Sequence, residues 1–233
     1  EWRDRVVGEV SAAAKDGAAI VVFPESFAEE RSLEPVLAAI KDAAGADRFV
    51  VLGNAFHRAP GEDHAVSRAY ILSGGSWQVM DKLDPTPAEL ARKPPVKPGM
   101  RLPLFRFRGG VIAVLPAHSI QKTEIAHSLK KRAVQLLLVS VPEEDEAGAA
   151  RVARAASARA VELGAAVVTA PPASAPPALY LPAQKGFDLK PQAPAGRDFR
   201  LPWKRILDLR ARPDGSAEAR PFLDPPASFQ VEI

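Results

Sequence analysis

Residues 18–27, AAIVVFPESF, constrain the fold of this chain more than any other stretch. An apolar run of strand-forming residues stops at Pro24, and one carboxylate, Glu25, stands directly past the stop. A short run of this kind closed by a proline reads as a buried strand of a layered α/β protein. Glu25 then lies at the carboxyl end of that strand, where open sheets gather binding and catalytic groups. Position alone describes a solvated strand-end glutamate equally well, so the weight falls on the downstream segments and their order.

Residues 3–16 carry Val6, Val7 and Val10 on a helical stripe that Gly17 ends. After the strand at 19–23, Ser32 caps a second helix over 33–44, with Val36, Leu37 and Ile40 facing inward and Gly45 closing it. Strands are expected at 49–52 and 67–72. Gly74-Gly75 then turns the chain into a strand at 77–80, a hairpin signal. Residues 84–99 hold five prolines and several charges and read as a long loop without secondary structure of its own. Two strands at 104–107 and 111–115, separated by Gly109-Gly110, precede a helix over 120–132 and a strand at 136–141. The acidic run Glu143–Glu146 starts a helix that reaches Leu163 and stops at Gly164, with a strand at 165–169 behind it. Late strands are expected at 205–211 and 229–233. Helices alternating with strands, together with hairpins, predict two sheets covered by helices, within a single domain spanning 1–233.

Several function classes are excluded. The chain has no cysteine, which removes disulfides, thiolate metal sites and thiol nucleophiles together. Its four histidines, His57, His64, His118 and His127, include no pair at helical ligand spacing near a carboxylate; no metal and no cofactor are expected. Serine-hydrolase, P-loop and dinucleotide-binding motifs are missing. A net charge of +3 with mixed signs is a poor basis for nucleic-acid binding. No apolar run spans a membrane and the opening residues form no leader, which leads to the expectation of a cytoplasmic protein without a membrane partner.

Four pieces recur in a telling order: FPES with Glu25, MDKLDPTPAE with Lys82 and Glu89, KPG at 97–99, and a strand–helix–strand over 111–141. The order resembles the nitrilase superfamily of carbon–nitrogen hydrolases, over almost the whole chain. The resemblance implies a four-layer α-β-β-α sandwich, paired into a homodimer or higher homo-oligomer. It also implies roles. Glu25 matches the general base, Lys82 the lysine that stabilises the tetrahedral intermediate, and Glu89 the second glutamate found after that lysine. Such chemistry needs a carboxylate to take the proton of a thiol and pass it to the leaving amine, and a cation where the oxyanion develops. The plain alternatives are a solvated loop lysine at 82 and a helix-start glutamate at 89.

The departures are equally specific. Matching the family's later strand to Ala133–Val139 and counting back puts the nucleophile position at Ala117, inside VLPAHSI. Its usual neighbours fall at His118 and Ser119, which become the substrate-binding candidates; the plainer reading of His118 is a strand-end histidine with a local hydrogen bond. The glycine four residues before the cysteine falls at Ala113, and an asparagine of an earlier strand at Ser67. Pro116, His118 and Ser119 are unlike the family's flanks, which favours natural loss of the nucleophile over an engineered cysteine-to-alanine change. Ser119 lies two residues away from the required place and is a poor substitute. The family also opens with a strand before the first helix, which this chain lacks at its start; a preceding segment is expected in the natural product. The sequence therefore predicts a carbon–nitrogen hydrolase-like protein without turnover, its ligand a small amide, nitrile or carboxylate. The alternatives are an active amidohydrolase seen as a nucleophile variant, or a binding or interaction scaffold.

Overall fold

The computed structural model describes residues 2–25, 33–58, 61–142, 146–172, 177–182 and 228–232, the last five in backbone only. The chain divides into two compact units, Glu1–Arg101 and Leu102–Ile233.

In the first unit, α1 (Trp2–Lys15) and α2 (Leu33–Ala44) flank β1 (Ile20–Val22) in sequence, followed by β2 (Phe49–His57), β3 (Val66–Ser73) and β4 (Ser76–Asp81). The sheet order is β1-β2-β3-β4, parallel between β1 and β2 and antiparallel thereafter. Val6 and Val10 of α1 and Val36, Ile40 and Ala44 of α2 are fully buried, and they pack with Val50, Leu52 and Leu72 of the sheet. Their spacing of four residues is that of one helical face. Gly45, at φ +67, ends α2 in the left-handed conformation that a Cβ disfavours. The expected hairpin is present: Leu72 faces Trp77 and Ser73 faces Ser76, with Gly74 and Gly75 both at positive φ, as a type I′ turn requires. Arg48 fastens the edge, donating to the carbonyls of Ala14, Ala18 and Ala44 at 2.9, 3.2 and 2.7 Å.

The second unit is a six-stranded sheet of order β10-β5-β6-β7-β8-β9. Its strands are β5 (Arg101–Phe107), β6 (Gly110–Pro116), β7 (Leu136–Ser140), β8 (Ala166–Ala170), β9 (Ala178–Tyr180) and β10 (Ser228–Glu232). β6, β7 and β8 are parallel, as strand–helix–strand crossovers dictate. All seven residues of β6 and all five of β7 are buried, which explains why these strands read as unbroken apolar runs instead of alternating.

The structure differs from the sequence expectation at several places. The strand expected at 49–52 runs on to His57 as β2. The β5–β6 turn is Arg108-Gly109, not Gly109-Gly110: Arg108 takes φ +48 and Gly110 already pairs with Phe107. The helix expected over 120–132 is broken into a 3-10 turn, Ser119–Gln121, and α4 (Thr123–Lys131), with Lys122 extended between them. The loop at 84–99 contains the one-turn helix α3 (Pro87–Leu90) and a bridge between Ala65 and Val96. β9 had no sequence signal beyond two apolar residues. The acidic helix start resolves as α5 (Glu146–Leu163), ended by Gly164 at φ +61. Ser32, residues 143–145 and the strand expected at 205–211 lie outside the described residues.

Candidate active site

The first unit brings Glu25, Lys82 and Glu89 together. Glu25 follows β1 where the chain runs beside β2: the Phe23 amide donates to the Val51 carbonyl at 2.8 Å. Just past this point the β2–β3 register shifts between Leu52 and Ala55. Gly53 sits in that bulge, and a Cβ there would collide with the Pro24 carbonyl oxygen and lie 2.7 Å from its carbon and 3.1 Å from Glu25 Cα. The missing side chain at 53 is what lets the Pro24–Glu25 backbone lie against β2. Glu25 is 6% exposed.

Lys82 is the residue after β4, and its backbone is held on both sides. Its amide donates to the Ser67 carbonyl at 2.7 Å, and its carbonyl accepts the Gly99 amide at 2.8 Å. Gly99 is constrained as Gly53 is: a Cβ would collide with the Asp81 carbonyl oxygen, 2.9 Å from its carbon. Asn54 Nδ2 donates to Ser67 Oγ at 3.1 Å, and Arg68 makes a bidentate pair with Asp81 at 2.6 and 3.1 Å. The Lys82 side chain, 2% exposed, is among the largest fully buried side chains of the described residues.

Glu89 is oriented by its own helix. Thr86 caps α3, accepting the Glu89 amide on Oγ1 at 3.2 Å, while Glu89 Oε2 accepts the Thr86 amide at 2.6 Å. This is a capping box with Pro87 in the first turn. With its carboxylate so fixed, Glu89 receives the Lys82 ammonium at 3.2 Å on Oε1 and 3.0 Å on Oε2. The second Lys82 donor bond goes to Glu25 Oε1.

The three groups form one ion cluster, two carboxylates on one ammonium, with Glu25 and Lys82 buried and Glu89 half-buried. Burial works against the Lys82 charge, but the attraction and hydrogen bond of Glu25, then those of Glu89, outweigh it and hold the ammonium above its ordinary value. Burial likewise opposes the Glu89 carboxylate, yet the Thr86 amide and the Lys82 charge hold it below the usual carboxylate range. Lys82 is therefore a permanent cation near neutral pH. It is suited to stabilising developing negative charge and unsuited to acting as a base or an amine nucleophile.

Ala117, His118 and Ser119 belong to the second unit, directly past the carboxyl end of β6. Ala117 is 1% exposed and its amide donates to the Ser140 carbonyl at 2.9 Å, continuing the β6–β7 pairing by one residue. His118 is half-buried and precedes the 3-10 turn. Ser119 is fully buried, and its Oγ and that of Ser140 have no hydrogen-bond partner among the described residues. Arg159 of α5 straps the turn, with Nε donating to the Ile120 carbonyl at 2.9 Å and Nη2 to the Gln121 carbonyl at 3.2 Å, while Nη1 pairs with Glu162.

Sequence reading missed Thr86, Gly53 and Arg159, and took Gly99 only as part of the KPG stretch. The first two had signals: T-P-A-E is a capping-box pattern, and a glycine inside a strand suggests a bulge. Gly99 stands beside a proline in what looked like loop, and Arg159 is one arginine among several on an alanine-rich helix. One group of potential metal ligands occurs among the described residues, Glu62, Asp63 and His64. His64 Nδ1 lies 2.9 Å from Asp63 Oδ1 and 3.4 Å from Glu62 Oε2, so local pairing accounts for the group. No described helix is long and apolar enough to cross a membrane.

A family model described as carbon–nitrogen hydrolase matches residues 4–185. No curated protein matches the chain in sequence. Among solved structures, an amidase from Nesterenkonia sp. is 18% identical, with 90% of this chain and 87% of that chain covered at a TM-score of 0.64. A cysteine-to-alanine mutant of the Nesterenkonia AN1 amidase, from the nitrilase superfamily, is 19% identical with 82% and 81% covered, again at 0.64. The same mutant type in complex with butyramide is 19% identical with 89% and 87% covered, TM-score 0.64. At these identities the likeness establishes the fold, an α/β sandwich of the nitrilase type.

Proposed function

The chain is a member of the carbon–nitrogen hydrolase family, and from that premise we propose that it binds a small acyl-type ligand, such as an amide, without turning it over. In this reading Glu25, Lys82 and Glu89 are the family's general base, oxyanion-stabilising lysine and second glutamate. Ala117 stands where the family carries its nucleophilic cysteine. His118 and Ser119 are assigned to the ligand-binding surroundings of that position.

The observation that carries the proposal is the contrast between the intact Glu25–Lys82–Glu89 cluster and a chain without any cysteine. Burying charges is expensive unless each is paired and hydrogen-bonded; here Lys82 is shared by both carboxylates, and Glu89 is held in addition by Thr86. A methyl group at 117 cannot be deprotonated or form an acyl bond, so the covalent route of the family is closed. What the cluster can still do is hydrogen-bond a polar ligand from a desolvated position.

We further read residues 1–233 as one carbon–nitrogen hydrolase-like domain, cytoplasmic and assembled as a homodimer or higher homo-oligomer. The test pairs binding with turnover on the chain as it stands. Calorimetry and ammonia release are measured against a panel of amides, nitriles and N-carbamoyl compounds, butyramide among them. Binding of at least one member with no ammonia above the blank is expected. Ammonia release by the unaltered chain overturns the reading in favour of an active amidohydrolase using another nucleophile.

A further inference from the structure

Resting on the ligand site proposed above, we infer that Arg92 and Phe56 are its positioning residues: the Arg92 guanidinium, stacked on the Phe56 ring, clasps the 84–99 loop to β2 and so places Glu89 beside Lys82. Neither side chain is a member of the cluster. Both act through the backbone that carries it.

The helix α3 cannot hold itself in place. It is a single turn with no buried residue, and its Leu90 is 50% exposed. A helix so short is unstable on its own, and without a buried apolar face it is not held by packing. The capping box fixes Glu89 relative to α3 but does not fix where α3 lies. That position has to come from contacts between the loop and the sheet. At the far end of the loop the contact is backbone pairing: the Ala65 amide donates to the Pro95 carbonyl at 2.9 Å, and the Lys97 amide to the Ala65 carbonyl at 2.8 Å. Beside α3 it is Arg92. Its guanidinium carbon lies 3.7 Å from the centroid of the Phe56 ring, well inside the reach of a cation–π contact and close enough for the planar group to stack on the ring face.

Both anchors converge on Glu89. Its carbonyl accepts the Arg92 amide at 3.4 Å and the Val96 amide at 3.1 Å. The residue with the second carboxylate is thus tied at its backbone to the residue that stacks and to the one that bridges to Ala65. Phe56, in turn, is placed by the same strands that place Lys82. It stands opposite Ser67 in the β2–β3 register, and the Ser67 carbonyl accepts the Lys82 amide at 2.7 Å. A closed circuit results. It runs from Lys82 along the loop to Glu89 and Arg92, from Arg92 to Phe56, across the strands to Ser67, and back to Lys82. The Arg92–Phe56 contact is the link in it made by side chains, and breaking it frees α3 to carry Glu89 away from Lys82 with the capping box intact.

The test reads Glu89 directly, by NMR titration of its side-chain carboxyl in the full chain, and so needs no ligand. Arg92 is exposed, and Phe56→Leu keeps an apolar side chain at a half-buried position, so Arg92→Ala and Phe56→Leu are both expected to fold. In each, the titration of Glu89 is expected to rise toward its ordinary value by about half a pH unit or more, a part of the roughly one to three that a paired opposite charge supplies. The double variant is expected to match the larger single effect, as two changes to one contact do. Leu90→Ala, on the same turn and outside the circuit, is expected to leave the titration in place. An unmoved titration in Arg92→Ala, effects that simply add in the double variant, or an equal shift from Leu90→Ala overturns the inference. If the amide panel fails to bind while the titration moves as expected, the ligand-site reading fails and the clasp stands as a positioning device for Glu89 alone.

Discussion

The cluster after β1 and β4 and the turn after β6 are built alike in backbone and differ in what the backbone carries. Glu25 and Lys82 are buried and Glu89 half-buried; the three are paired, and the chain around them is fixed by the Gly53 bulge, the Ser67 and Gly99 bonds and the Thr86 capping box. Around Ala117, the strand-end bond to Ser140 and the Arg159 strap hold the chain as firmly. Yet the side chain at the centre is a methyl group, and the hydroxyls of Ser119 and Ser140 are buried without partners among the described residues. A buried ion cluster that had lost its purpose would be costly to keep, since replacing such charges by apolar groups is often neutral or stabilising.

The contrast between the two regions is most exposed to Lys82→Met, which leaves the buried Glu25 and the half-buried Glu89 without the ammonium they share. It should cost about 3–5 kcal/mol in urea unfolding, the usual penalty for removing one partner of a buried pair. A loss below about 1 kcal/mol would mean that the cluster is hydrated and not held as described.

Next in size is Gly53→Ala, which drives a methyl into the Pro24 carbonyl and should cost about 1–3 kcal/mol through displaced backbone. Gly8→Ala is the internal control: Gly8 is exposed in the interior of α1 with nothing within 4 Å of its Cβ position, and the change should stabilise by up to about 1 kcal/mol. Equal effects at the two positions would mean that the bulge does not place Glu25.

Thr86→Ala removes the cap of α3 and should cost about 1 kcal/mol. It should also raise the titration of Glu89 toward its ordinary value, followed by NMR of the side-chain carboxyl. The pH dependence has two limbs. The folded value of Glu89 lies below its ordinary 4.5, so its contribution to stability is present above that value and lost as pH falls through the folded one. Lys82 lies above its ordinary 10.5, so its contribution is present below that value and lost as pH rises through the folded one. Urea midpoints measured across pH should therefore fall at both extremes, and Glu89→Gln should weaken the acid limb and, by removing one of the two carboxylates that raise Lys82, the alkaline limb in part.

Much of this site was legible in the residues themselves. Pro24 and Glu25 mark a strand end, the K-L-D-P-T-P-A-E order places Lys82 and Glu89 on one loop, and the absence of cysteine needs no coordinates. Glu89 also shows why two readings of one residue need not compete: it is both the helix-start glutamate of a capping box and a member of the ion cluster. What stayed illegible was set by tertiary contact. Nothing local says that Gly53 faces the Pro24 carbonyl, that Gly99 faces Asp81, or that Arg159 reaches the carbonyls of a turn 38 and 39 residues earlier. The left-handed Arg108 escaped for the same reason, since pairing of Phe107 with Gly110 overrode the local preference for a Gly-Gly turn.

Ammonia release from the amide panel by Ala117→Cys, beside the unaltered chain, decides whether the nucleophile is the one missing part. Turnover by the cysteine form alone is expected, abolished again when Glu25→Gln is added. A correctly folded Ala117→Cys protein that binds the amides and releases no ammonia would contradict the claim that only the nucleophile is missing.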